Sequence, residues 1–342
     1  MINSFPFSRA LMLLLAVSFV SFSSCEDDDD ILGFDFNDDG TLFMSSNGEG
    51  IVGVLDTRDS DNRTIQTFAA AGMNADGIYF DESEGLLYQV DRSNNTLVQY
   101  EDVLDDINDD EGVNINIVSE ANFFTNGRGL AQAGDRLFLV AQDGNDANDN
   151  QNKFVIFEKT DDETLTSDRA LNVPFNVWGV QADGSGRLFA VVDNTDSIAT
   201  FGNVFILEND STAVPTTYTK IDGLVRTHGI KFWSEDDLMI LTDVGDAGSD
   251  TDGAVFIIRD WSTASADGTV TAGEYTRIAG SATTLGNPVD VAYDEDGDRI
   301  FVAEAANGGG RILAWPLSAV GNVAPTITGD FPGISSVWLN ND

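Results

Sequence analysis

The feature that most constrains this chain is a repeat with a glycine at its centre. Asp76-Gly77-Ile78, Arg128-Gly129-Leu130, Trp178-Gly179-Val180 and His228-Gly229-Ile230 place their glycines 52, 50 and 50 residues apart. A fifth copy, Val289-Asp290-Val291, follows 61 residues later with Asp in the glycine position. A fixed period of this length means one supersecondary unit used several times, and the unit must bury its faces against its own copies. Each copy is followed by an apolar pair: Leu87-Tyr88, Leu137-Phe138, Leu188-Phe189, Leu238-Met239 and Ile300-Phe301. Turn sequences such as Asp294-Glu295-Asp296-Gly297-Asp298 precede these pairs, and Asp, Asn and Gly favour tight reversals. A third strand is predicted at 97–100, 154–157, 204–207, 255–258 and 312–315. A weaker fourth is predicted at 218–221 and 275–278. No segment beyond about residue 33 has the period of an amphipathic helix.

The two ends supply complementary halves of one further unit. Residues 41–46 and 51–55 read as second and third strands without a first, and 333–339 as a first strand without successors. Pairing them completes a sixth unit, closes a ring and removes two sheet edges that would otherwise invite aggregation. The expected fold is therefore all-β: a six-bladed β-propeller of four-stranded antiparallel blades over residues 35–342, closed by its N- and C-terminal strands. A β-sandwich predicts neither the period nor the half-units. First strands converge on the axis of such a ring, which gives the glycines their reason: backbones crowd there, and a Cβ is costly.

The stretch Asn287-Pro288-Val289-Asp290-Val291-Ala292-Tyr293-Asp294, followed by Arg299-Ile300-Phe301-Val302-Ala303-Glu304, resembles the NHL and SMP-30/gluconolactonase-like six-bladed propellers. The resemblance covers residues 35–342 at the level of architecture. In SMP-30-like propellers it implies a divalent cation held in the channel by acids and asparagines. The matching positions here are Asn126, Asn176, Asp243 and Asp290. The Glu expected before an early first strand has no counterpart, since Glu49 lies in a glycine-rich hairpin. Calcium is the cation such oxygen ligands would suit.

The N-terminus has a second, separate logic. Arg9, an apolar run from Ala10 to Val20 and the small residues Ser21, Ser23 and Ser24 have the layout of a secretory signal, with an apolar core too short to span a bilayer. Phe22-Ser23-Ser24-Cys25 resembles a bacterial lipobox, with Phe22 where leucine is usual. The run Glu26-Asp27-Asp28-Asp29-Asp30 resembles the surface-export signal of Bacteroidetes lipoproteins. The expected organisation is a signal peptide over 1–24, an acidic tether over 25–34 lipidated at Cys25, and the propeller beyond it. The expected location is the outer membrane, lipid-anchored and facing outward. Cys25 is the only cysteine, so no disulfide framework exists within the chain.

Charge narrows the partners. Fifty-eight acidic residues against 17 basic ones give a net charge of −41, which repels nucleic acid and anionic lipid and favours a soluble monomer. On the propeller, the face where first strands begin and second strands end gathers the candidate site. One ring precedes the first strands: Asp76, Arg128, Trp178, His228 and Asp290 or its neighbour Val289. Behind it stand Asn74, Asn126, Asn176, Arg226 and Asn287. A third set, Asp91, Asp143, Asp193, Asp243 and Glu304, ends the second strands. Asn and Asp at strand ends cap backbone groups, so the last two sets need no ligand to account for them. The first ring varies in chemistry, and His228 is the only histidine. Asp76, Arg128, Trp178, Arg226, His228 and Asp290 are thus the candidate ligand-binding residues, suited to a carboxylated or sugar-like ligand through guanidinium and indole. Two functions fit: a binding or scaffold module for a glycan, small ligand or protein without a required cofactor, and a calcium-dependent lactonase or esterase in the channel. Half-matches to calcium loops at 35–40 and 263–274 read as hairpin turns; the polar loop 144–152 fits either a weak cation or plain solvation.

Overall fold

The structure is a computed structural model that describes residues 40–58, 63–109, 111–246 and 248–341. All lie in the unit Asp35–Asp342. The predicted signal peptide, Cys25, the predicted acidic tether and the turn predicted at 35–40 (residues 35–39 of it) lie outside the described residues. Within them the chain forms six antiparallel sheets. The first blade runs, from inside outward, Ile334–Leu339, Thr41–Ser46, Ile51–Asp56 and Gln66–Ala69. The second to sixth blades begin at Ala75–Asp81, Gly127–Ala133, Val177–Ala182, Thr227–Trp233 and Pro288–Asp294. The chain is a six-bladed propeller.

Ring closure is the predicted one. Leu42 pairs with Leu339, Phe43 with Trp338 and Met44 with Val337. The closing strand also ties its two neighbouring blades together: Ser335 Oγ donates to the Ala75 carbonyl, and Ser336 Oγ to Asp290. Middle strands such as Leu86–Asp91 and Leu238–Asp243 are buried along their whole length. Both faces of a blade pack against other blades, so these strands read as continuous apolar runs without alternation. Leu238, Ile240, Val255, Ile257, Val291, Tyr293, Ile300, Val302, Leu313 and Trp315 form one such core between the fifth and sixth blades.

Three local expectations change. The third strand of the fourth blade is Ser197–Asn203, and Val204–Ile206 is a 3-10 turn started by the Asn203 side chain, which accepts from the Phe205 N–H. Val204 and Phe205 still enter the core, while Ile206 is exposed; hydrophobicity located the burial of two of the three but could not tell a turn from a strand. Two short helices, Val103–Asn108 and Trp261–Ala264, also occur. The second belongs to an insertion that explains the long 61-residue step. After the helix, Thr269–Val270 crosses to the fourth blade and pairs in parallel with Thr217–Ile221 as a fifth strand.

Candidate functional site

Every innermost strand carries a bulge where the repeat motif sits. In the second blade Ala75 faces Asp91 and Ile78 faces Gln89, so Asp76 and Gly77 together oppose Val90. The same shift recurs at Arg128-Gly129, Trp178-Gly179 and His228-Gly229, after Pro288 in the sixth blade, and at Ser335 in the first. A bulge leaves one residue unpaired and re-aims its side chain. The result is a ring of Asp76, Arg128, Trp178, His228, Val289 and Ser335, one residue per blade. Asp76, Arg128, Trp178 and His228, with Asn47, Asn287, Val289 and Ser335, line a 370 Å³ cavity at the upper mouth of the channel.

The glycines stand one residue deeper. A Cβ on Gly77 would lie 2.5 Å from the Leu130 nitrogen, on Gly129 2.8 Å from the Trp178 carbonyl oxygen, and on Gly179 2.3 Å from the His228 carbonyl oxygen. Each inner strand thus touches the next through its missing side chain. Two adjacent blades break the glycine ring, with Asp290 and Ser336. There the side chains bond each other: Ser336 Oγ donates to Asp290 Oδ2 at 2.6 Å, and the Val337 N–H donates to the same oxygen at 3.0 Å.

Across the mouth the side chains form a layered stack. The Arg128 guanidinium carbon lies 3.8 Å from the Trp178 ring centre, and Trp178 stacks on His228 at 3.8 Å with 2° between the planes. Both indole faces are therefore occupied by the protein itself, and a ligand meets the edge of the stack rather than a free face. Asp76 holds one end, 3.3 Å from Arg128 Nη1 and 3.6 Å from Arg92 Nη1. At the other end Asp193 accepts two bonds from Arg226, at 2.8 and 3.3 Å. Arg226 is thereby committed to Asp193, and it braces the mouth instead of lining it. Arg92, Arg128 and Arg226 alternate with Asp76, Asp143 and Asp193, so a strongly acidic molecule has a charge-balanced mouth.

Burial raises the Asp193 carboxyl, but His228 and Arg226 outweigh it and hold the group down to about 2. Burial lowers His228, against the pull of Asp193, so its imidazole is neutral at pH 7. His228 Nε2 lies 3.2 Å from Asp193 Oδ1 without hydrogen-bond alignment. Both of its ring nitrogens, Arg128 Nε, Asp143 Oδ1 and Asn287 Oδ1 are buried without a hydrogen-bond partner. Polar atoms of this kind are uncommon in a finished core and mark a place where something polar is received.

The four positions matched to a cation site do not converge. Of Asn126, Asn176, Asp243 and Asp290, only Asp290 lines the channel. Asp243 Oδ1 accepts from the backbone of Val225, Arg226 and Gly245. Asn126 accepts from the Arg92 guanidinium and donates to Asp143, and Asn176 accepts from Asn152. Among the described residues no group of three or more His, Cys, Asp or Glu is placed to hold a metal ion. These oxygens are used as caps and braces and do not fit a cation. In the stretch 263–274 Glu274 caps Thr271, and in the loop 144–152 Asn148 donates to the carbonyls of Thr125 and Asp143.

Two features escaped the sequence reading. Ser335 and Ser336 take the ring and glycine positions of the first blade, which aligning residues 334–337 with the other copies would have shown. Lys231 is the second. It lies in a buried inner strand, lines both the channel and its lower mouth, and is one of only four lysines.

No protein-family model matches the sequence, and no curated protein matches it. Solved structures do match its fold. The Pseudomonas aeruginosa periplasmic gluconolactonase PpgL superposes with a TM-score of 0.59 at 13% identity, over 88% of this chain and 98% of that one. A structure of a nidogen/laminin complex gives 0.59, 13% and the same coverages. A functionally unknown protein from Desulfotomaculum acetoxidans DSM 771 gives 0.55 at 10%. At such identities the likeness is one of architecture, and it agrees with the propeller resemblance read from residues 287–304.

Proposed function

We propose that this protein is a sugar-binding module displayed on the cell surface, anchored in the outer membrane through a lipid on Cys25. The observation that carries the binding reading is the bulge-presented mouth: a charge-balanced, 370 Å³ cavity with orphaned polar atoms around a rigid Arg128–Trp178–His228 stack. Its volume lies within the range of small-ligand sites. The available groups are the Asn287 and Asn47 amides, the Ser335 hydroxyl, the Asp76 carboxylate and the His228 edge. These groups hydrogen-bond hydroxyls from both the donor and the acceptor side, the chemistry of a saccharide. The surrounding net charge of −41 selects against polyanionic glycans. No cation is required, and the calcium-dependent lactonase reading lacks a formed ligand set.

The test is direct binding to a panel of neutral and uronic-acid oligosaccharides with EDTA present. A neutral saccharide is expected to bind. Trp178→Ala should weaken it at least about tenfold by dismantling the stack. Asn287→Ala removes an oxygen that bonds nothing in the protein, so folding should be unaffected while affinity falls about three- to tenfold. Absence of any saccharide binding overturns the proposal. So does calcium-dependent hydrolysis of a sugar lactone, which would restore the enzyme reading.

A further inference from the structure

The repeat places a third ring toward the lower end of the channel, three residues beyond the bulges: Tyr79, Ala131, Gln181, Lys231, Ala292 and Trp338. Between the mouths the channel narrows to 40 Å³, room for only about three waters. Below, it opens into a separate 430 Å³ cavity lined by Tyr79, Gln132, Gln181, Lys231, Trp233 and Trp338 among others. The Lys231 Nζ sits 4.3 Å from the Trp338 ring centre and 5.6 Å from that of Trp233. Trp338 in turn meets Tyr79 edge-on at 4.7 Å.

Among the described residues this amine has no hydrogen-bond or ion-pair partner. By contrast, Lys159 is paired with Glu84 and Lys220 with Asp222. The charged groups on the elements packed around Lys231 are few. Asp290 on the neighbouring inner strand exerts a pull without forming an ion pair, and Arg187 is spent on Asp183. Asp81, Glu82, Asp135, Asp183 and Glu235 line the cavity wall. That acidic wall repels carboxylates and phosphates but leaves a neutral carbonyl compound indifferent. Burial holds the amine down to about 8, partly offset by Asp290. At neutral pH its uncharged fraction is then on the order of a hundredfold that of an ordinary lysine.

We propose that the lower cavity is a carbonyl-capture site, in which Lys231 binds a small neutral aldehyde as an imine between its aromatic walls. The uncharged Nζ attacks the carbonyl carbon; the C–N bond forms as the C=O π pair moves to oxygen, which takes a proton. Loss of that hydroxyl as water, with the remaining N–H proton, leaves C=N. The balance needs no oxidant or reductant. A buried, partly neutral lysine is the activated form for this addition, and the Trp338 and Trp233 rings flank it here.

The experiment uses the full chain, benzaldehyde and sodium cyanoborohydride at pH 7, with peptide mapping of every lysine. Lys231 is expected to be benzylated about tenfold or more faster than Lys153, Lys159 and Lys220. In urea-unfolded protein the four should react alike. Lys231→Met, which replaces a buried amine by a thioether of similar length, should fold and lose the fast label. Labelling of Lys231 no faster than Lys153 in the native chain overturns the proposal. Protection by benzoate equal to that by benzamide, a neutral carbonyl competitor that forms no imine, also overturns it, because the pocket would then be an anion site. The sugar reading concerns the other mouth, so either result leaves it standing.

Discussion

At the scale of single residues, what distinguishes this propeller is where its repeat stops repeating. Asp290 takes a position that is glycine in four other blades, and it does so beside Ser336. Burial raises its carboxyl to about 6, against the bonds from Ser336 and Val337, and Asp76 adds repulsion. Its folded-state pKa therefore lies above the unfolded one. The folded chain holds a proton between pH 4 and 6 that the unfolded chain releases, so this group's contribution is full below pH 4 and is lost as pH rises through 6. Asp290→Asn keeps one oxygen for the bonds from Ser336 and Val337, gives up the bond that Oδ1 accepts from the Val291 N–H, and cannot ionise. Urea unfolding at pH 4, 5, 6 and 7 should show the variant gaining on the natural chain as pH rises, by about 1–2 kcal/mol at pH 7 given access to channel water. A gap between the two that stays constant across this range would refute the assignment. Asp290 was legible in the sequence because it broke an aligned column. Its partner Ser336 was hidden by the seam, since the first blade is split between the chain ends. Lys231 was hidden differently: a charged residue in an apolar strand stands out only once the strand is known to be buried on both faces.

At the scale of elements, the bulged inner strand is the unit that builds both mouths. The sequence showed the glycine column and the reason for it, because close approach of backbones selects against a Cβ wherever strands converge. It did not show the bulge, which is a matter of register between strands and leaves no separate residue signature here. Hydrophobicity likewise placed Val204 and Phe205 in the interior but assigned them a strand and carried exposed Ile206 along with them, since burial constrains composition more tightly than backbone conformation. The glycine argument has a measurable consequence. A Cβ on Gly179 would fall 2.3 Å from the His228 carbonyl oxygen, a backbone atom that cannot rotate away. Gly179→Ala should destabilise the fold by about 3 kcal/mol through forced separation of the fourth and fifth blades. Gly273→Ala, where nothing lies within 4 Å of the new atom, should stay within about 0.5 kcal/mol. Equal urea midpoints for the two variants would mean that the contact between inner strands is not what fixes the column.

At the scale of the whole molecule, charge and anchor have to be considered together. A net charge of −41 drives the chain away from an anionic bilayer surface, and among the described residues no helix is long and apolar enough to cross a membrane. On the proposed surface display, attachment rests on acyl chains at Cys25; one chain alone gives only marginal, reversible attachment, whereas several hold firmly. In the same proposal the acidic residues 26–30 directly behind that cysteine would be repelled by anionic headgroups. Substituting Cys25→Ser should therefore move the protein from the membrane pellet to the soluble fraction, while leaving saccharide binding and Lys231 labelling unchanged. Protease added to intact cells should remove the natural chain and spare a cytoplasmic marker. Retention of the serine variant in the membrane fraction would show that something other than a lipid holds the protein there, and the proposed anchor at Cys25 would be overturned.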